Sequence, residues 1–450
     1  MTMLPMHHRL RSACAALLAL LSCAPLGSCA DDEGCLELHV CDIAEPSCQR
    51  EVFASTACER GQPQASMPKV RAISQKQYAE ELAEDEGTED FQARAYWRAL
   101  SLFGVLPEQE RADDAAIENQ VNNVLAYYSP ETKDITVINR AKTRDVDAML
   151  TLSHEFTHAL QDQRDDLKTF METHADSYDA ALALRCLVEG EAEVASDLTM
   201  GNLTYGDARQ VNWELYFRNW LTSTLEKLAE DDAPYLATGW LVYPVGTRVV
   251  MPKYRREGPS ALRGYYREPP ITFRSWTNQT LSVMPPEPMD CAPPDPPEGY
   301  VHSIIDRQGM AGLLALYVAM GEGAEFDASH AWVSDWLAVY TSEDESTEDV
   351  AVAWRLRFGS AQAAQAFETK LAHSDVPFGF ERSGQEVLLT AASSGELYAS
   401  WELSSCSQEK SRTRSLPRYR LPNAVRARLL GHRAHGPLRA RVGVRGPAAR

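Results

Sequence analysis

The sequence predicts an α+β protein: a mostly helical body that carries an edge hairpin, followed by a small α+β domain. Three observations lead there. Apolar residues recur at helical spacing through much of residues 67–284, a pair of β-rich segments is separated by a turn sequence, and a proline-rich stretch precedes a region of mixed strand-like and helical pattern. The chain's 450 residues, 44% apolar and 24% charged, suffice for two domains with a sizeable core and exclude global disorder and collagen-like repeats.

Residues 1–28 read as an export signal of the lipoprotein type. His7, His8, Arg9 and Arg11 precede an uncharged apolar run from Ala13 to Leu21. That run is well short of the ~20 apolar residues that a spanning helix needs. Leu26-Gly27-Ser28-Cys29 resembles a bacterial lipobox, so Cys29 is the expected lipidation site. The protein is then exported, as an envelope lipoprotein or a secreted one, and meets the membrane only through a lipid anchor.

Residues 29–66 read as a Cys-rich exported linker. Cys35, Cys41, Cys48 and Cys58 fall in a polar stretch where a hydrophobic core is not expected, and they favour two disulfides. No CxxC pair is present, which argues against zinc binding by these four.

Residues 67–284 begin with helical spacing at Gln75 to Leu82 and Phe91 to Phe103. Val121 to Tyr128 and Ile135 to Ile138 are rich in β-formers, and the turn-favouring residues Ser129 to Asp134 between them predict a hairpin. Helices are expected over Asp145 to Gln163, His174 to Asp197 and Val211 to Leu228.

Prolines crowd residues 285–299 and cannot continue a helix or a central strand, so this stretch reads as a linker. In residues 300–405, helices are expected at Met310 to Met320 and Ala361 to Leu371. Strands are expected at Trp336 to Tyr340, Val350 to Phe358, Glu386 to Thr390 and Glu396 to Trp401.

The formal charge of −20 is uneven, because Lys410 to Arg450 holds twelve Lys or Arg and no Asp or Glu, leaving 32 basic against 64 acidic groups before it. An acidic body repels phosphates, which excludes nucleic acid as an expected partner. Residues 406–450 form a basic tail without periodicity. It reads either as a disordered arm that clings to anionic polymers or as an end translated out of register.

The chemistry concentrates in His154-Glu155-Phe156-Thr157-His158. Positions i and i+4 of a helix lie one above the other, so both imidazoles can bind one Zn²⁺ at about 2.0–2.1 Å. Glu155, a quarter turn aside, could then take a proton from a water that attacks a carbonyl. Met149, Leu152, Phe156, Ala159 and Leu160 form the stripe that such a helix would bury. The preceding hairpin could hold an extended peptide along its edge.

A catalytic zinc needs a third protein ligand and an open fourth position. Among Glu189, Glu191 and Glu193, the first and last share a helical face while Glu191 lies about 200° round from Glu189. Glu189 is the expected ligand, and Glu193 the carboxylate that accepts the other N–H of a ligating histidine. Asp162 is a rival for that accepting role. The competing reading makes Arg185 and Glu189 a surface ion pair. Gly190 inside this helix costs about 1 kcal/mol relative to Ala, tolerable where another backbone must come close. His174, Asp176 and Asp179 read as capping residues rather than ligands.

His154-Glu155-Phe156-Thr157-His158-Ala159-Leu160-Gln161-Asp162-Gln163 followed by Leu187-Val188-Glu189-Gly190-Glu191-Ala192 resembles a family of bacterial exported proteins identified as predicted zinc metallopeptidases. Tyr243-Pro244-Val245-Gly246, Tyr254, Gly258, Tyr265 and Pro269-Pro270 resemble that family's later stretch, and Trp332, Asp335 and Val352-Ala353-Trp354-Arg355 its C-terminal domain. The resemblance covers roughly Val121 to Leu371. It implies a zincin-like, gluzincin-like domain with His154, His158 and Glu189 on Zn²⁺ and Glu155 as base. The family usually has Asp at the position of Glu191, and a different sequence follows its Pro-Pro pair.

The expected function is therefore zinc-dependent hydrolysis of a peptide or protein substrate at the bacterial cell envelope. Tyr254, Tyr265, Tyr266 and His302 are candidates for stabilising the oxyanion. The alternative is a non-catalytic surface lipoprotein with a structural zinc site that binds a partner through its C-terminal domain. An open three-ligand site favours catalysis. The oligomeric state is not legible.

Overall fold

Helix α1 (Pro46–Glu59) starts at a proline, which fixes φ where no N–H is required, and buries Cys48, Val52, Phe53 and Ala57 against the helix that carries the HEFTH motif. A core was not expected in this stretch. Polar residues are mixed into the buried face, among them Thr56, whose hydroxyl meets that of Ser153 at 2.8 Å, and so hide its periodicity. Cys41 and Cys48 form a disulfide, and Cys35 and Cys58 are disulfide-bonded as well.

This computed structural model describes residues 35–85, 91–107, 121, 124–139, 143–278, 281, 283–289, 292–344, 347–400 and 422. The expected export signal, Cys29, Cys291 and nearly all of the basic tail lie outside the described residues. The described residues from Leu36 onward form one compact unit. No helix among the described residues is long and apolar enough to cross a membrane.

The architecture is α+β, with two small sheets set among helices. The expected hairpin is present as β2 (Ala126–Ser129) and β3 (Asp134–Asn139), paired antiparallel with Tyr128 opposite Ile135. A strand missed in the sequence, β1 (Lys69–Ser74), runs parallel to β3 on its other side, so the order is β1-β3-β2 and β2 is the edge. Helices α2 (Gln75–Asp85) and α3 (Phe91–Ser101) lie where helical spacing placed them.

Three helices build the centre: α4 (Val146–Asp165), α5 (Leu167–His174) and α6 (Tyr178–Thr199). Asp145 caps α4 by accepting from Ala148 N, and Ser177 caps α6 by accepting from Ala180 N. Helix α7 spans Trp213–Leu228 and α8 spans Val242–Glu257. Pro244, Gly246 and Pro252 hid α8 from sequence reasoning. Pro244 falls in the first turn, where an amide hydrogen is not needed, and Gly246 is there for another reason.

That reason is the crossing of α6 and α8. A Cβ on Gly190 would lie 2.7 Å from the Gly246 carbonyl carbon, and one on Gly246 would lie 2.1 Å from the Cys186 carbonyl oxygen. The two backbones touch, which is the close approach that a mid-helix glycine predicts.

The second sheet, β4 (Tyr300–Asp306), β5 (Trp332–Ser342), β6 (Val350–Phe358), β7 (Gly379–Ser383) and β8 (Glu386–Ala392), is antiparallel throughout in the order β4-β5-β6-β8-β7. Helices α9 (Gly309–Ala319) and α10 (Ala361–His373) accompany it. The expected strand at Glu396 to Trp401 is instead a helix over Gly395–Ser400, capped by Ser394 Oγ, which accepts from Leu397 N. Local capping outweighs the alternation there.

One apolar core includes residues on both sides of the proline-rich stretch, from Tyr96 and Leu184 to Leu313 and Trp354. Buried carboxylates stitch it together. Asp335 accepts from Gln308 N, Gly309 N and the indole N–H groups of Trp332 and Trp354, while Asp306 accepts from Tyr178 N at the start of α6.

The α6/α8 crossing yields a direct prediction. Gly246→Ala overpacks backbone against backbone and should cost about 2–3 kcal/mol. Gly264→Ala, where a Cβ meets nothing within 4 Å, should be near neutral. Urea unfolding of the two variants beside the native chain measures the difference.

Candidate metal centre

Helix α4 buries its apolar stripe, Met149, Leu152, Phe156, Ala159 and Leu160, in a core shared with α1 and the hairpin. His154 and His158 project from another face toward α6, which has no exposed face: every residue from Tyr178 to Asp197 is buried. Carboxylates on such a helix must find partners. Glu189 meets the two histidines.

His154 Nε2 and His158 Nε2 lie 3.0 Å apart, and Glu189 Oε2 lies 3.2 Å from the first and 3.4 Å from the second. A tetrahedral ion with bonds of about 2.0–2.1 Å requires ligand separations of about 3.3 Å. The three atoms fit one small cation, and their chemistry, two imidazole nitrogens and a carboxylate oxygen, suits Zn²⁺. Without a metal, burial works against ionisation of Glu189, but the charge and hydrogen bonds of His158 and His154 hold its carboxyl well below the usual range. Burial likewise opposes the charged form of His158, yet Glu189, Glu155 and Gln161 leave it raised.

Glu155 is buried beside the three ligands, and its Oε2 accepts from Tyr128 N at 2.8 Å. An amide on the β2 edge thus orients it. Burial is the main force lifting its carboxyl to about 8; His158 opposes, Glu189 adds, and the Tyr128 N–H opposes.

Glu193 lies on the expected side, with Oε1 3.6 Å from His154 Nδ1, an ion-pair distance rather than a hydrogen bond. Asp162 does not. Its carboxylate accepts from Tyr128 OH at 2.8 Å, Lys133 Nζ at 3.0 Å and Leu167 N at 2.9 Å, so it ties the hairpin and the start of α5 to α4. The residue at His158 is Gln161, whose Oε1 accepts from Nδ1 at 2.8 Å. Its amide nitrogen faces Val188 O, Glu191 Oε2 and Tyr266 OH at 2.9, 3.1 and 3.0 Å. Those acceptors leave the amide one orientation, which puts a proton on His158 Nδ1 and the lone pair on Nε2. The i,i+3 spacing from His158 was the signal for it.

Glu191 points away from the ligands, as its angular position predicted, into a buried network. Arg60 bonds it and also donates to Thr157 O at 3.0 Å, Arg164 reaches it at 3.2 Å, and Tyr266 OH donates to it at 2.6 Å. Burial alone would raise this carboxyl, but Arg60 and Arg164, aided by Tyr266 and Gln161, lower it to about 2. The reading of these glutamates as a solvated face therefore fails. Arg185, the proposed surface partner of Glu189, is itself buried and hydrogen-bonds Tyr243.

The candidates for the oxyanion are engaged elsewhere. Tyr266 serves Glu191, Tyr254 OH donates to Glu59 O at 3.2 Å, Tyr265 packs on Trp276, and His302 packs on Tyr340 in the second sheet. Tyr243, passed over in the sequence, lies beside the site with its ring centroid 6.3 Å from that of His154.

Comparison with family models, with curated proteins and with solved structures finds no match. The site stands on its own geometry.

Two outcomes test the support around it. Gln161→Leu should weaken zinc binding about 10–100-fold, measured by competition with a chromogenic chelator. Glu191 has a folded value of about 2 against an ordinary 4.5, so its share of stability is complete above 4.5 and lost as pH falls through 2. Glu191→Gln should flatten the unfolding free energy across that window, read by denaturant titration at stepped pH.

Proposed function

We propose that this chain is a zinc-dependent metallopeptidase, held at the bacterial cell envelope through Cys29 and acting on a peptide or protein substrate. The observation that carries the reading is the convergence of His154, His158 and Glu189 on one point, with the Glu155 carboxylate buried beside it. Three protein ligands leave a fourth position for chemistry, whereas structural zinc sites are closed by four.

Zn²⁺ bound there would supply Lewis acidity that polarises a scissile carbonyl and acidifies water. The remaining work belongs to the chain. Glu155, held by the Tyr128 amide, would take the proton of the attacking water and return it to the leaving amine. Gln161 holds the His158 imidazole by a hydrogen bond, and Glu193 stands near His154 Nδ1. The outer edge of β2, which presents the Tyr128 N–H to Glu155, offers a line along which an extended peptide can add as a strand.

The test compares the native chain with Glu155→Gln in zinc content and in hydrolysis of a broad peptide library. The variant should keep its zinc and lose turnover about 10²–10⁴-fold. Zinc bound equally by two equally inert proteins would instead assign a non-catalytic protein with a structural metal that binds a partner.

A further inference from the structure

Helix α6 carries one more charged group at the site. Arg185 lies one turn before Glu189, is 8% exposed, and has no carboxylate within ion-pair distance among the described residues. Its guanidinium hydrogen-bonds Tyr243 and lies near Gly239, where a Cβ would come within 3.5 Å of Nη1. Four other guanidinium groups differ. Arg60 and Arg164 meet Glu191, Arg307 meets Asp179 and Arg355 meets Glu386.

A guanidinium held out of water without an anion costs stability, and its planar fork matches a carboxylate better than any other common partner. Tyr243 is itself flanked by aromatic rings. Trp220 and Trp240, both half-buried, lie nearly parallel to the Tyr243 ring, at 28° and 25°, with centroids 6.4 and 6.5 Å away. Tyr243 in turn adjoins His154. Apolar walls around a few polar groups are the usual make-up of a small-ligand site.

We propose that Arg185 and Tyr243 form a carboxylate-binding subsite beside the metal centre, which selects peptides that present a carboxylate next to an aromatic or large apolar residue. The proposal deepens the peptidase reading and rests on it for the word substrate, but the binding event itself is independent of turnover. Two sources share this chemistry: the α-carboxylate of a chain terminus and the side chain of Asp or Glu. The first would make the protein a trimmer of C-terminal residues, the second an endopeptidase with an acidic preference.

Calorimetric titration with N-acetyl-phenylalanine, its C-terminal amide and N-acetyl-aspartyl-phenylalanine amide separates these cases, with and without zinc loaded. At least one carboxylate ligand should bind about tenfold or more tighter than N-acetyl-phenylalanine amide, and which one does names the source. Arg185→Gln should reduce that advantage to less than about twofold while retaining zinc, and Arg185→Lys should restore part of it. If Arg185→Gln fails to fold, Tyr243→Phe, which removes one oxygen, should still narrow the ratio. Equal affinity for acid and amide, no measurable carboxylate binding, or a tenfold preference that survives Arg185→Gln would overturn the proposal. Because the metal-free titration needs neither zinc nor hydrolysis, an inert or zinc-free protein defeats the peptidase reading without deciding this one.

Discussion

The structure turns on a helix with no side facing water. Along α6, Asp179, Arg185, Glu189, Glu191 and Glu193 are all buried, and a buried charge is tolerated only when another group answers it. Each answer recruits a different part of the chain. Glu189 draws in the two histidines of α4, Glu191 draws in Arg60 and Arg164, and Asp179 accepts from Phe273 N and Arg307. The centre of the molecule is organised by electrostatic necessity, and the apolar core fills the space between those pairings.

The pairing around Glu191 reaches furthest. Arg60 stands at the end of α1 and joins Glu191 to the Thr157 carbonyl within the HEFTH segment, while Gln161 joins the same carboxylate to His158. A segment near the start of the chain is thus three hydrogen bonds, through Glu191 and Gln161, from an imidazole on the metal-facing side. Removing one partner of such a buried pair costs about 3–5 kcal/mol, because the other charge is stranded. The geometry of the ligands and the stability of the fold are therefore the same set of bonds viewed from two ends.

Much of this was legible in the sequence, for identifiable reasons. Period and spacing place α4 and α6, and helical angles alone put Glu189 and Glu193 on one face and Glu191 on the other. Gly190 announced a close backbone, although not which one. What stayed hidden depends on tertiary partners. Asp162 and Gln161 are neighbours in the chain, and only the position of the hairpin and of Glu191 decides which of them serves His158. Helix α8 was masked by its own prolines and by Gly246, and with it went Tyr243. The pairing of β1 with β3 is parallel and crosses more than sixty residues, a distance over which local pattern carries no information.

Arg60 follows a helix whose cysteines are disulfide-bonded, Cys48 to Cys41 and Cys58 likewise in a bridge. The guanidinium that neutralises Glu191 is thus delivered by a segment fastened with bonds that persist only under oxidising conditions. A chain synthesised in a reducing compartment would have to dock α1 by its small apolar stripe alone, against the entropy of a free N-terminal arm. Glu191 would then share a buried pocket with Arg164 and an unanchored partner. Oxidation of the N-terminal segment and assembly of the candidate metal site thus draw on the same contacts.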